Sequence, residues 1–119
     1  MTSDIDLHAL NSIAALQSPG KPLLLDRIIE LFKSESPKSL ATIETALEIN
    51  DLEAARDAAH SLKSSSAYVG ANLLSQRCRE LEEAARQENY TACIVMGDGL
   101  GELFDAVCLE LDAYMIKAA

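Results

Sequence analysis

His60 and Lys63 stand three residues apart in the run Ala58-Ala59-His60-Ser61-Leu62-Lys63-Ser64-Ser65-Ser66-Ala67-Tyr68-Val69-Gly70-Ala71. On a helix that spacing puts both side chains on one face. Leu52, Ala55, Ala59, Leu62 and Ser66 recur at helical spacing as a stripe suited to burial, and Arg56, His60, Lys63 and Ala67 form the stripe beside it. The His60 ring is thus expected to turn outward, among small residues that leave it open to approach. An accessible neutral imidazole is a nucleophile. A lysine one turn further on offers a point charge to a phosphoryl group carried by the ring. A general base would want a substrate pocket and an oxyanion site, and neither is visible. A metal ligand would want partners; Asp57 is near, but His8 is far away in sequence. The residues alone leave two readings open, a phosphoryl acceptor and a solvated surface histidine on a helical bundle.

The elements that must hold this pair are helices. Ala, Leu, Glu, Lys, Arg and Gln dominate, and no stretch alternates apolar and polar residues over strand length. Asp4 or Asp6 can cap a first helix carrying Leu7, Leu10, Ile13 and Leu16, which stops before Pro19-Gly20. Pro22 suits the first position of a second helix with Leu24, Leu25, Ile28, Ile29 and Phe32. Ser36 can cap and Pro37 open a third helix with Leu40, Ile43 and Leu47. Asn50-Asp51 breaks and recaps. A fourth helix runs from about Leu52 to about Tyr68 and ends at Gly70, a left-handed C-terminal residue. A fifth runs from about Ala71 to about Gln87 with Leu74, Cys78, Leu81 and Ala85. After Asn89 a sixth carries Ile94, Leu100, Phe104, Val107, Leu111 and Met115. The connections are short, so consecutive helices should be antiparallel neighbours. The expected fold is all-α: an antiparallel up-down four-helix bundle over about 37–117, with two additional N-terminal helices over about 1–36 covering it.

Length and charge narrow the function. The chain has 119 residues, which suits a single domain with its own core. Ten basic against nineteen acidic residues give a net charge of −9. Such a field repels phosphate backbones and anionic membrane surfaces, which argues against nucleic-acid binding. Aromatic residues are 4% and Trp is absent, so a base-stacking platform is also disfavoured. No apolar run approaches the roughly 20 residues that span a bilayer, and the start MTSDIDLHAL has no basic region followed by an apolar stretch. Cys78, Cys93 and Cys108 are widely spaced among apolar neighbours, which suits reduced core residues and a cytoplasmic compartment. No Cys/His set has metal-site spacing. One oddity is Gly97, Gly99 and Gly101 in MGDGLG. A phosphate-cradling loop would need a preceding strand, so close helix packing or a local kink is the favoured reading.

The run His60-Ser61-Leu62-Lys63-Ser64-Ser65-Ser66-Ala67-x-x-Gly70-Ala71-x-x-Leu74-x-x-x-Cys78-x-x-Leu81-Glu82 resembles the signature of histidine-containing phosphotransfer (HPt) domains. Its usual form is H-x-L-K-[GS]-x-[SA], then G-A-x-x-L and C-x-x-L-E. Ile43-Glu44-Thr45-Ala46-Leu47 and Asn50-Asp51-Leu52 match the stretch before it. The resemblance implies a helical bundle whose exposed histidine relays phosphoryl groups between aspartates of response-regulator receiver domains, with a hybrid sensor histidine kinase upstream. It makes His60 the phosphoacceptor through Nε2, and Lys63 the stabiliser of the phosphoryl oxygens. Glu82 falls where a Gln or Glu orients the ring; on the residues alone it is equally an exposed glutamate paired with Arg86 or Arg79. Gly70 becomes the turn that lets two helices pack closely. Arg56, Ser64, Ala67, Tyr68 and Arg79 would make up the partner-facing rim, although Tyr68 also suits a half-buried rim or core position. Ser64 departs from the commoner Gly and bears on how closely a receiver approaches. No metal is expected in this chain and no cofactor bound by it; the magnesium ion belongs to the receiver. With no ATP-binding loop of its own, the chain is expected to be a monomeric transfer intermediate, standing alone or as the cytoplasmic C-terminal domain of a hybrid kinase. Two other readings are a non-phosphorylated helical adaptor and a kinase dimerisation segment; the latter normally has an acidic residue directly after the histidine, where this chain has Ser61.

Overall fold

A computed structural model describes residues 5–16 and 24–118 of the chain. The described elements are six helices, α1 (Leu7–Ala15), α2 (Leu24–Glu48), α3 (Leu52–Tyr68), α4 (Asn72–Arg86), α5 (Tyr90–Gly97) and α6 (Leu100–Ala118). No strand occurs among the described residues. The all-α bundle follows from the helical period read in the sequence.

Side chains placed at the boundaries set the register. The Asp51 carboxylate accepts the Ala54 amide and starts α3, and the Asn89 side chain accepts the Ala92 amide and starts α5. Asp6 caps α1 by accepting the His8 amide. Asp4, the Pro19-Gly20 stop and the Pro22 start lie outside the described residues. Asn50 and Glu88 turn the chain with positive φ after α2 and α4.

Two boundaries differ from the sequence expectation. The second and third predicted helices are one element, because α2 runs unbroken through Pro37. The division expected between 36 and 37 therefore falls inside a helix. Pro37 lacks the N–H that position would donate, a loss of about 3 kcal/mol in a helix interior. Against it stands a buried stripe on both sides of the proline, Leu25, Ile29, Phe32 and Ser36 before it and Ile43 and Leu47 after it. Each large apolar side chain removed from water contributes roughly 1.5–3 kcal/mol, so packing outweighs the local signal. Phe32 meets Phe104 of α6 with ring centroids 5.3 Å apart. Ser36, expected as a cap, is buried and its hydroxyl has no hydrogen-bond partner.

The single last helix expected after Asn89 is split into α5 and α6. A Cβ at Gly97 would lie 2.8 Å from Leu47 Cδ1, and Gly99 has φ +81°. Asp98 between them is extended. The MGDGLG run is thus a break at positive-φ Gly99, where α5 packs closely on α2, with no strand among the described residues before it.

One connected core runs through the molecule, with Leu10, Phe32, Leu62, Leu81, Phe104 and Leu111 drawn from α1, α2, α3, α4 and α6. Cys78 and Cys93 are buried in it and Cys108 is half-buried; all three are free thiols. Burial pushes the Cys78 thiol up to about 12, which leaves it protonated and inert.

The most extensive helix pair is α3 with α4, and the turn between them sits on the start of α1. The Asp6 amide donates to the Gly70 carbonyl at 2.7 Å, and Ile5 bridges to Ala71. Gly70 has φ +78°, and a Cβ there would lie 2.8 Å from the Asp6 carbonyl oxygen. Gly70→Ala is therefore expected to lower unfolding free energy by about 1–3 kcal/mol. Chemical denaturation checks this; an unchanged midpoint would contradict it.

Candidate functional site

The buried face of α3 is Ala55, Ala58, Ala59, Leu62 and Ser66. Burying those residues leaves His60 on the outer side, with its side chain 59% exposed. Lys63 lies one turn on, half-buried between α3 and α4. Ser75 ties the two helices together there, donating its hydroxyl to the Lys63 carbonyl at 3.0 Å.

Glu82 reaches this point from α4. Its side chain is only 7% exposed, and its two oxygens are shared. Oε2 lies 2.8 Å from His60 Nδ1, and Oε1 accepts from Lys63 Nζ at 2.6 Å. Arg86 Nη2 also donates to Oε2, at 3.2 Å, while Nη1 donates to Glu83 at 2.7 Å. The Lys63 hydrogen bond, seconded by that from His60, holds the Glu82 carboxyl below its usual range against the opposing effect of burial. An ionised carboxylate has no proton to give, so the His60–Glu82 bond requires the proton on Nδ1. In the neutral ring the lone pair is then on Nε2, which is the nucleophilic nitrogen.

His60 also borders a shallow open groove of about 710 Å³ between α2 and α3. Ile28, Leu31 and Phe32 supply its apolar side, and Ser64 and Tyr68 line it beside the histidine. Leu31 is 59% and Tyr68 61% exposed. The half-buried core position considered for Tyr68 does not hold. Ser64 donates its hydroxyl to the His60 carbonyl at 3.2 Å, one turn back along its own helix. Its oxygen is engaged by the backbone.

His60, Lys63 and Glu82 thus meet at one point, with Ser64 and Tyr68 on the adjoining groove. Arg56, Ala67 and Arg79 do not line that groove. Arg56 pairs with Asp57 on α3, and Arg79 is exposed on α4 and makes no ion pair among the described residues. Glu82 is buried and shared by three donors, in place of the exposed glutamate that was the alternative. Sequence reasoning missed the α2 side of the groove. The signal was present: Ile28 and Leu31 widen the apolar stripe of α2 beyond what the core covers. Among the described residues no group of three or more His, Cys, Asp and Glu side chains could hold a metal ion.

Comparison with known proteins identifies the fold and the family. The Hpt domain family matches residues 27–113. The histidine-containing phosphotransfer protein B (HptB) of Pseudomonas aeruginosa PAO1 superposes with a TM-score of 0.86 at 25% identity, over 98% of each chain. The maize histidine-containing phosphotransfer protein ZmHP2 superposes with a TM-score of 0.77 at 22% identity, over 93% of this chain and 86% of that one. No curated protein sequence gives a significant match. A match over most of its length, around a histidine presented on a helical bundle, places this chain in the Hpt domain family, whose members carry phosphoryl groups on histidine in phosphorelay signalling.

Proposed function

We propose that His60 is the phosphoacceptor and that its Nε2 takes the phosphoryl group from a receiver-domain aspartate. The observation that carries this is the Nδ1–Glu82 hydrogen bond of 2.8 Å on an exposed ring. Attack by the Nε2 lone pair forms the N–P bond as the acyl phosphate P–O bond breaks. The aspartate leaves as a carboxylate. The ring gains positive charge beside the Glu82 carboxylate, which balances it while Nδ1 keeps its proton. Return transfer to a second receiver runs the same bonds in reverse. Two of the three N–H donors of Lys63 are left for phosphoryl oxygens once one is spent on Glu82.

The partners are response-regulator receiver domains and, upstream, a hybrid sensor histidine kinase. The groove beside His60 supports docking of a receiver's apolar face, with Leu31 and Tyr68 at its rim. The magnesium ion belongs to the receiver, and this chain binds no cofactor of its own. It acts as a monomer in the cytoplasm. That reading is supported by a bundle completed within one chain, and no helix of the described residues is long and apolar enough to cross a membrane.

Mixing the chain with a labelled phospho-receiver and magnesium tests the proposal. The expected product is acid-labile, base-stable label on a species of about the monomer mass, 12.8 kDa. Absence of label across several receivers would favour a non-phosphorylated adaptor. A dimer mass would favour a kinase dimerisation segment. Ser64→Gly is expected to keep the transfer rate within about threefold, because the Ser64 hydroxyl is turned onto the backbone. It should lower stability by about 0.5–1 kcal/mol. A much larger gain in rate would show that the serine obstructs the receiver.

A further inference from the structure

A second groove lies between the C-terminal half of α2 and the α5–α6 junction. It shares no residue with the groove beside His60. Ile94 and Tyr90, 43% and 40% exposed, give it an apolar wall, and Ile43 and Leu47 lie buried beneath it. Two pairs of carboxylates edge it, Glu44 with Glu48 on α2 and Asp98 with Glu102 at the junction. Glu44 and Glu48 lie one turn apart on α2, and Asp98 and Glu102 stand either side of the α6 start. Among the described residues none of the four makes an ion pair, whereas Glu35, Asp57, Glu82, Glu83 and Asp112 all do. No Lys or Arg lines the groove, and between Arg86 and Lys117 the sequence has six acidic residues and no Lys, Arg or His.

The glycines of MGDGLG separate by cause. Gly97 packs against the Leu47 methyl, and Gly99 has a positive φ. Gly101 has neither reason: it is helical, and a Cβ there would meet nothing within 4 Å. Alanine at such a position loses less conformational entropy on folding and should be the more stable choice. The chain's own packing therefore does not account for the missing side chain, which instead leaves the groove open to something outside.

We infer that this groove is a docking site for a basic amphipathic helix of a partner protein. An apolar ridge would sit on Ile94 and Tyr90, close to the bare backbone at Gly101. Lys or Arg residues one turn apart would answer the two carboxylate pairs. Like charge along the groove disfavours a second copy of this acidic chain. Because His60 remains uncovered, such a contact would tether a partner and raise the effective concentration at the transfer site.

The test is titration of the isotopically labelled full chain with a synthetic amphipathic peptide carrying Lys at i and i+4 beside a Leu ridge. A twin peptide with Glu for each Lys is the control. Amide shift changes are expected over residues 40–48 and 94–102 with the Lys peptide alone. Glu44→Gln combined with Glu48→Gln should weaken binding about tenfold, and Gly101→Leu should weaken it at least as much. Gly101→Ala should raise the melting midpoint, and both Gly101 variants should keep phosphotransfer at His60, which shows that they are folded. Shift changes scattered over other acidic faces, equal binding of the Glu twin, no binding at all, or Gly101→Leu binding as wild type would each overturn the inference.

Discussion

His60→Gln is expected to abolish phosphoryl acceptance and to leave the fold intact. The ring is 59% exposed and its side-chain hydrogen-bond partner among the described residues is Glu82, so the bundle loses almost no packing. The glutamine amide can still donate to Glu82, and Lys63 and Arg86 still neutralise that carboxylate. The expected change in unfolding free energy is within about 0.5 kcal/mol. Acceptance falls to background, because an amide nitrogen has no free lone pair with which to attack phosphorus. Label transfer and thermal denaturation on the same preparation check the two halves together. Label surviving on the variant would mean that another residue carries the phosphoryl group.

Changing Glu82 is the second large effect, and it separates orientation from charge. Glu82→Gln keeps an oxygen that can accept from Nδ1, but the amide carries no charge to balance the phosphorylated ring. Transfer is expected to fall about tenfold. Glu82→Ala removes the acceptor altogether and frees the ring to rotate and change tautomer, for a loss of about a hundredfold. Stability responds as well. The alanine variant leaves Lys63 and Arg86 without the carboxylate, and both can turn partly toward solvent, so the expected loss is about 1–3 kcal/mol. The pH dependence has a definite sign. The Glu82 carboxyl is held below its unfolded value, first by Lys63 and then by His60. Its contribution is therefore fully present above the ordinary glutamate range, near pH 4.3, and is lost as pH falls through the lowered folded value. Glu82→Gln should flatten that part of the acid limb. Denaturation midpoints from pH 6 down to pH 3, about the span of the carboxylate titration, measure it; parallel curves for variant and wild type would contradict the assignment.

The parts of this molecule that could be read from sequence are those decided by neighbours along the chain. The start of α3 at Asp51 and the turn at Gly70 depend on caps and on a left-handed residue, and both signals are local. The outward turn of His60 and its shared face with Lys63 need only the period of one helix. Where distant segments decide, the reading failed. Ser36-Pro37 carries a strong local helix start, but Phe32 and Ile43 pack on the same core and keep α2 continuous. The α5–α6 break falls where Gly97 lies against Leu47, a contact between residues far apart in the sequence. The meeting of Glu82 with His60 belongs to the same class. Spacing on α4 alone left it an exposed glutamate as readily as a ring partner, and only the resemblance to phosphotransfer domains pointed to the second. The groove formed by Ile28 and Leu31 was hidden for the same reason as the α2 continuity, since it needs the register of α2 against α3.

The central claim is that Glu82 fixes the proton on Nδ1 and leaves Nε2 to carry the phosphoryl group. Nitrogen-15 NMR of the His60 imidazole, before and after phosphorylation by a receiver, tests it most directly. The expected result is a protonated Nδ1 in the free protein and an Nε2–phosphorus bond in the product, with Nδ1 still protonated. An Nε2–H tautomer in the free protein, or phosphorus on Nδ1, would contradict it.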